Sequence, residues 1–534
     1  MSCKQYTFTL NLRFLFYFIL TILIASHVNA QAPVLQVTNS FTQQSVLYNS
    51  DTFPHTAWKP VLYTDSTYQK SNRTWVYRKF FEEHLLQVQQ PGFNIFGDIL
   101  FDEIAGGTKR AVPTKSLINQ GGSENSKFVY TNTRGYDVSG NVGNKFYFQT
   151  DFYENQASFP GYVDSLIRKT GVIPYQNSFK NLKSKGFDYS YSSAKLIYTP
   201  NKYLLFNLGY GTNFIGDGYR SLLLSDYNTP YPYFRTSINL GSVQYSVMYS
   251  QYITDQQSHT YAEGYPRKWG QTYLLDWHAT KNFNIGIFNA VISSIENTDH
   301  QKDFGLTHFS PVIFLHSGNA PSGLKNNDIY GLNLKYTIIP TVDVYAQFML
   351  DNTGSADWEK RYGYQIGIRA GNLFKVDGLS AQAEFNTVRP YSYASDTITT
   401  VYAHNGESLA HPLGANFKEG IFVADYNYKR WWFRLEAMAA RYGDDTSAAE
   451  NFGHDIFKPL YTHSNEDNVS TDQGLLTKLY YGDAKIAYIL NRKTNLRIET
   501  GAVYRNEKNK LNNYTDMYVY IGVRFTFRKL IYDF

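Results

Sequence analysis

Two stretches of the chain combine the side-chain types that bind sugars. They are residues 211–226, GTNFIGDGYRSLLLSD, and residues 399–416, TTVYAHNGESLAHPLGAN. Polar groups can meet sugar hydroxyls while aromatic ring faces meet the apolar faces of sugar rings. The candidate polysaccharide-binding residues are Asn213, Tyr219, Arg220, Tyr402, His404, Asn405 and His411. The competing interpretation is loop architecture, in which Gly and Asn make turns and the tyrosines belong to an aromatic girdle.

The same stretches contain groups that suggest metal binding or catalysis. His404 and His411 flank Glu407, but their spacing matches no metal motif. Asp217 and Asp226 offer the two carboxylates of a glycoside hydrolase, although loops often carry several carboxylates. The chain has no G-x-S-x-G, P-loop or H-E-x-x-H motif. We therefore expect no metal, no cofactor and no enzymatic activity.

The elements that must position these residues are strands with one apolar and one polar face. The clearest covers residues 517–527, MYVYIGVRFTF, where apolar residues alternate with Tyr520, Gly522, Arg524 and Thr526. Apolar and polar side chains that alternate with a period of two fit a strand whose outer face contacts lipid and whose inner face contacts an aqueous interior. The pattern recurs at least a dozen times. It predicts an all-β fold, an antiparallel outer-membrane β-barrel in the bacterial outer membrane.

The lengths of the connections give the strand number and the orientation. Short turns, such as residues 199–201 and 241–242, alternate with long loops when about 18 strands are counted from residue 93. In such barrels short turns face the periplasm and long loops face outward. Both sugar-type stretches are therefore predicted to be extracellular. The apolar run 309–315 must also lie in an outside loop, because counting it as a strand breaks the alternation.

The beginning of the chain differs from the barrel. Lys4 and Arg13 precede an apolar run, and Val28-Asn29-Ala30 follows it, a pattern that predicts a signal peptide over residues 1–30. Residues 31–92 do not alternate and are interpreted as an N-terminal periplasmic or plug segment. Within it, residues 75–90 predict a short amphipathic helix ended by Pro91-Gly92. Residues 93–534 form the predicted barrel.

The composition supports a membrane barrel and excludes some partners. Aromatic residues make up 17% of the chain, including 47 tyrosines, although the mean hydropathy is −0.40. Barrels concentrate such rings at both membrane interfaces. A formal net charge of +5 is too weak to indicate nucleic acid binding. The only cysteine, Cys3, lies in the predicted signal peptide, so we expect no disulfide.

The two sugar-type stretches also carry a resemblance to a known family. Residues 213–226 and 402–416 resemble segments of the capsule assembly protein Wzi family, in particular its gliding-motility RemB-like branch. The resemblance implies an 18-stranded barrel closed by a periplasmic helical element, with a lectin-like role in holding exported polysaccharide. In the gliding branch it implies a mobile surface adhesin. Residues 528–534 interrupt the alternation, so either Phe527 or Phe534 marks the end of the last strand.

Three functions remain open at this point. The first is a non-enzymatic surface protein whose partners are surface polysaccharide, outer-membrane lipid and motility or capsule export proteins. The second is a passive porin-like channel, against which the apolar run 309–315 argues because it could fold into the lumen. The third is an adhesin that binds protein partners through its long loops. The predicted lining of a channel is Asp343, Gln382, Glu384, Arg497 and Glu499.

Overall fold

The computed structural model describes most of the predicted barrel and short parts of the N-terminal segment. The described residues are 34–36, 56–60, 62–64, 72–111, 128–182, 186–254, 265–294, 309–315, 326–352, 361–464, 469–525, 528 and 532–534. The predicted signal peptide and Phe527 lie outside them. Within them, no helix combines the length and the apolar character needed to cross a membrane.

Eighteen antiparallel strands close into one barrel. In chain order they are β1 (Phe93–Ala111), β2 (Phe128–Val142), β3 (Phe146–Ser158), β4 (Gly186–Tyr198), β5 (Leu204–Gly211), β6 (Tyr231–Leu240), β7 (Val243–Ile253), β8 (Arg267–His278), β9 (Phe283–Ser294), β10 (Asn327–Ile339), β11 (Val342–Asn352), β12 (Tyr362–Gly371), β13 (Leu379–Val388), β14 (Phe417–Tyr428), β15 (Trp431–Asp444), β16 (Leu475–Asn491), β17 (Leu496–Lys508) and β18 (Asn513–Phe525). Each pairs with its neighbour in sequence, and β18 pairs with β1 from Thr515↔Ala111 to Arg524↔Asp102. The predicted fold class and strand number are confirmed.

The two faces of the strands differ as the alternation predicts. On β18, Met517, Val519 and Ile521 are exposed on the outside, whereas Tyr520 and Arg524 are buried on the inside. An apolar outer wall with every strand edge paired is what a lipid bilayer requires of a sheet. The protein is therefore an outer-membrane β-barrel.

The connections fall into a short set and a long set at opposite ends. The turn between β6 and β7 has two residues, 241–242, and the turn between β14 and β15 also has two, 429–430. At the other end, loops such as 212–230, 389–416 and 445–474 are much longer. The long set marks the extracellular end, since outer-membrane barrels place long loops there.

The segment before β1 differs from the predicted helix. Helix α1 covers only Trp75–Phe81, and Leu86–Gln90 is a strand that pairs with the start of β1. Pro91-Gly92 makes the hairpin turn between them, with φ of +98° at Gly92. The prediction of a helix to residue 90 was therefore wrong. In Leu-Gln-Val-Gln-Gln the apolar residues are two apart, which suits a strand better than a helix.

Smaller elements lie before the first barrel strand and between later ones. Helix α2 covers Gly161–Thr170, and single 3₁₀ turns cover Leu373–Lys375 and Leu460–Thr462. Short antiparallel pairs join Trp58–Lys59 to Phe214–Ile215, Ala403–His404 to Glu407–Ser408, Val172–Ile173 to Asn177–Ser178, and Val34–Gln36 to Leu62–Thr64. Lys180–Leu182 pairs with the start of β4.

Candidate functional site: a filled lumen beneath an extracellular cap

The barrel encloses a packed set of non-strand segments, here called the lumenal plug: residues 56–60, 212–230, 401–416 and 532–534. The indole N–H of Trp58 donates to the Asn213 side chain at 3.1 Å, and the Ser225 N–H donates to the Leu409 carbonyl at 2.8 Å. Leu222, Leu223, Tyr402 and other plug side chains share one buried cluster with inward residues of the wall. The lumen is therefore filled by side chains at this level.

Arg220 is the central tie between the plug and the wall. Its guanidinium donates to the Asp533 carboxylate at 3.1 Å and to Glu419 of β14 at 3.3 Å. Its backbone N–H donates to Glu384 of β13 at 3.1 Å. Burial acts to lower the pKa of Arg220, but the Asp533 and Glu419 carboxylates outweigh it and raise the pKa. The cation is thus held charged inside the barrel.

Tyr219 and His411 extend the same network. The Tyr219 hydroxyl lies 2.6 Å from Asp533 and 3.0 Å from Glu436, so it links the plug to β15. The His411 imidazole lies 2.8 Å from the second carboxylate oxygen of Glu419. Hydrogen bonds to charged groups are stronger than neutral ones, so these contacts fix both loops firmly.

Tyr402 and Asn405 connect the two plug loops to each other. The Tyr402 hydroxyl donates to the Leu223 carbonyl at 2.7 Å, and the Asn405 amide donates to the Thr229 hydroxyl at 3.1 Å. Glu407 accepts from the Thr229 N–H at 2.7 Å. Loop 212–230 is therefore held by side chains of loop 401–416 at Leu223 and at Thr229.

His404 is fixed as a neutral imidazole by two backbone groups. Its Nδ1 accepts from the Ile253 N–H at 3.0 Å, which leaves Nε2 to donate to the Pro230 carbonyl at 3.3 Å. Burial lowers the pKa of His404 to about 3, and the Lys268 ammonium nearby acts in the same direction. A protonated ring would have to give up the bond from Ile253, because both its nitrogens would be donors.

The candidate binding residues are thus brought together, but inside the protein. Six of the seven are exposed by 2% or less, and only Tyr219 is partly exposed. Each of the seven has at least one side-chain atom bonded to another part of the chain, so in this conformation they hold the extracellular loops in place. His404 and His411 face different partners. In the part of the chain that the structure describes, no three potential metal ligands come together.

The side chains predicted to line a channel point inward, yet they are paired. Arg497 donates to Glu499 at 2.7 Å, and Arg524 also donates to Glu499 at 3.1 Å. Asp343 accepts from Arg369 at 3.0 Å, and Gln382 donates to the Tyr345 hydroxyl at 2.7 Å. Glu384 accepts from the backbone N–H of Arg220 in the plug at 3.1 Å. All five of these side chains are therefore bonded to the wall or to the plug.

Above the plug lies an extracellular cap, residues 391–400 and 445–464. The Leu460 N–H donates to the Ser395 carbonyl at 3.3 Å, which joins its two parts. Next to Leu460, in the same 3₁₀ turn, the Tyr461 side chain is 71% exposed. Thr462 and Ser464 follow it and are also exposed. Sequence reasoning missed Tyr461, because nothing local separates it from the other tyrosines.

The packing of the plug against the wall predicts a difference between two glycines. A Cβ at the inward Gly331 of β10 would meet a Leu223 methyl at 2.3 Å, whereas nothing lies within 4 Å of one at Gly420 of β14. We expect Gly331→Ala to destabilise the protein by about 1–3 kcal/mol through overpacking. Gly420→Ala should be neutral within about 0.5 kcal/mol. Urea unfolding of the two variants in detergent tests this, and equal midpoints would contradict the packing described here.

Comparison with known proteins gives structural similarities only. A scan against protein-family models finds no match, and a search of curated proteins finds no relative. The chain is similar in structure to Wzi, described as an outer-membrane, carbohydrate-binding β-barrel involved in group 1 capsule assembly in Escherichia coli, with 14% identity, a TM-score of 0.46, and coverage of 80% of this chain and 85% of that one. It is also similar to OprD of Pseudomonas aeruginosa, with 9% identity, a TM-score of 0.39, and coverage of 84% and 97%. A third similar structure is OccAB2 of Acinetobacter baumannii, with 10% identity, a TM-score of 0.40, and coverage of 80% of this chain and 98% of that one.

Proposed function

We propose that the protein is a non-enzymatic surface protein that binds exported polysaccharide and holds it at the outer membrane. The observation that carries the proposal is the filled lumen beneath an extracellular cap whose two parts are hydrogen-bonded to each other. In the gliding-motility branch that the sequence resembles, the same retention would assist movement or adhesion. Capsule export or motility proteins would then be its protein partners.

The plug is what favours this function over a passive porin. A porin needs a continuous wet path between rings of charged side chains. Here Leu222, Leu223, Tyr393 and Phe288 belong to one buried cluster across the lumen. Opening such a path would expose that cluster to water and separate Arg220 from its carboxylates. Both steps are unfavourable.

The cap supplies the surface that a sugar chain would meet. An exposed Tyr461 ring offers a flat apolar face. The Ser464 hydroxyl nearby in sequence accepts from the Asn451 N–H at 2.7 Å and keeps its own hydrogen to donate, whereas the Thr462 hydroxyl is bonded to Asn451 and Pro459 within the cap. Rings of this kind pack against the apolar faces of sugars while hydroxyls bond to their edges. The buried candidate residues of loop 389–416 would then act as positioning residues, because that loop also carries Ser395, whose carbonyl accepts from the N–H of Leu460 beside Tyr461.

Tyr461→Ala tests the proposed surface. We expect its affinity for polysaccharide extracted from the protein's own cells to fall about 2- to 13-fold, since stacking on one ring contributes about 0.5–1.5 kcal/mol. Folded, detergent-solubilised protein would be titrated against the extract. The fold would be verified from heat-modifiable gel mobility.

A matched control removes an exposed ring at the other end of the barrel. Phe374 is 84% exposed in the turn between β12 and β13, and Phe374→Ala should leave binding unchanged. Unchanged binding in Tyr461→Ala would move the site away from the cap. Equal losses in both variants would indicate nonspecific adsorption to aromatic surface.

A further inference from the structure

An apolar segment of the loop between β9 and β10 lies against the outside of the barrel. This segment, Phe309–Leu315, is here called the strap. Its Phe309 and Ser310 carbonyls accept hydrogen bonds from the hydroxyls of Tyr249 at 2.8 Å and Tyr273 at 3.0 Å. The Tyr245 hydroxyl donates to the next carbonyl, that of Pro311. Three consecutive carbonyls are therefore held by three tyrosines of β7 and β8.

These tyrosines belong to the outer wall. On β7 they alternate with Ser246, Met248 and Ser250, which are buried on the inside. The expectation that the strap could fold into the lumen and obstruct it was wrong. The physical reason is that its carbonyls find donors on the outer wall, while the lumen is already filled by the plug.

The strap covers a part of the outer wall that differs from the rest. Outward positions elsewhere, such as Val519 and Ile366, are well exposed, but six outward positions on β7, β8 and β9 are buried. They are Val247, Gln271, Tyr273, Asn289, Val291 and Ser293. Gln271 and Asn289 carry amides, which are costly on a lipid-facing surface. Covering this patch removes those amides from contact with lipid.

The strap itself has the properties of a membrane-embedded element. Its sequence, FSPVIFL, contains no charge, and Phe309, Val312, Phe314 and Leu315 are 41–61% exposed. Irregular backbone is tolerated at membrane depth where it is buried against protein, and here three consecutive strap carbonyls face the wall and are bonded to it. Tyr245 lies eight residues below Ile253, the extracellular end of β7, which corresponds to about 26 Å along the strand. The strap is thus anchored well down the lipid-facing wall.

We propose that the strap is an intramembrane contact surface for the acyl chains of the surrounding lipid, clasped by Tyr245, Tyr249 and Tyr273. Lipid is the occupant because the exposed strap side chains continue the apolar outer wall on both sides, from Phe234 of β6 to Phe348 of β11. This inference does not depend on polysaccharide binding. It adds a lipid-contacting element that is not a barrel strand.

Spin labels on the strap test its environment. In a Cys3→Ser background, single variants Val312→Cys and Leu315→Cys would carry a nitroxide in protein reconstituted into phospholipid vesicles. We expect both labels to be reached by oxygen and shielded from a water-soluble nickel chelate, as a label at Val519→Cys should be. A label at Thr446→Cys, exposed in the cap, should show the opposite preference. A nickel-accessible strap would overturn the proposal, and so would a strap that neither reagent reaches, which would indicate a protein partner or a second copy.

Removing the three hydroxyls tests the clasp. The variant Tyr245→Phe, Tyr249→Phe, Tyr273→Phe keeps the rings but leaves the three carbonyls without donors. We expect the label at Leu315→Cys to become accessible to the nickel chelate while heat-modifiable mobility shows an intact barrel. A label that stays in lipid would show that the hydroxyls do not hold the strap. Tyr480→Phe, an exposed outer-wall tyrosine away from the strap, is the matched control.

Discussion

Replacing Arg220 with leucine is expected to release the plug and to lower the free energy of unfolding by about 3–5 kcal/mol, because it leaves carboxylates buried without their cation. Asp533 and Glu419 lie 3.1 Å and 3.3 Å from the guanidinium, and all three side chains are buried. The expansion needed to hydrate these carboxylates would separate the plug loops from the wall. Urea unfolding and planar-bilayer conductance should therefore change together, with a lower midpoint and new channel openings.

An exposed arginine provides the control for this experiment. Arg441 lies 2.9 Å from Asp472, but its side chain is 50% exposed. Arg441→Leu should cost less than about 1 kcal/mol, because exposed ion pairs contribute little. Equal effects of the two substitutions, or an Arg220→Leu protein that keeps its plug and its stability, would contradict the central role of Arg220.

Mild acid is expected to weaken the plug through His404. Its pKa is about 3 in the folded protein because of burial, below the ordinary value of 6.5. The unfolded chain therefore binds a proton that the folded protein does not, so stability falls as pH falls from about 6.5 towards 3. At pH 5 the loss attributable to His404 is about 2 kcal/mol. The groups around the ring are Lys268, Tyr231 and Tyr252.

A glutamine at position 404 separates this effect from other titrations. His404→Gln can still accept from Ile253 and donate to Pro230, but it does not titrate. We expect the stability difference between pH 7.5 and pH 5 to be about 2 kcal/mol smaller in His404→Gln than in the unchanged protein. His411, whose pKa burial also lowers, contributes equally to both and cancels. Identical pH dependence in the two proteins would show that His404 is not held neutral.

The barrel could be predicted from the sequence because alternation is a local property. The alternation within each strand predicts which residues face lipid and which face the interior. Because successive strands run in opposite directions, the connections fall in turn at the two ends, so short turns and long loops can be assigned to opposite ends without information on distant contacts. The split of residues 75–90 into α1 and a hairpin strand was missed. Residues 86–90 are too few to separate the strand period of two from the helix period of 3.6, because the apolar positions directly before them follow a helical pattern.

The state of the candidate residues could not be predicted, because it depends on contacts between distant parts of the chain. Arg220 meets Asp533, 313 positions away, and Trp58 meets Asn213, 155 positions away. A loop rich in Tyr, Asn and Arg has the same composition whether it faces sugar or fills a lumen. One sequence signal was present: the loss of alternation after β18, where residues 532–534 enter the barrel instead of continuing the strand.

The most direct test of the proposed function uses one preparation of folded protein for two readouts. The protein would be reconstituted into planar bilayers to record conductance, and into vesicles to titrate polysaccharide extracted from its own cells. A filled lumen beneath a binding cap predicts no steady channel and saturable polysaccharide binding. Steady open channels without polysaccharide binding would contradict it and favour a porin.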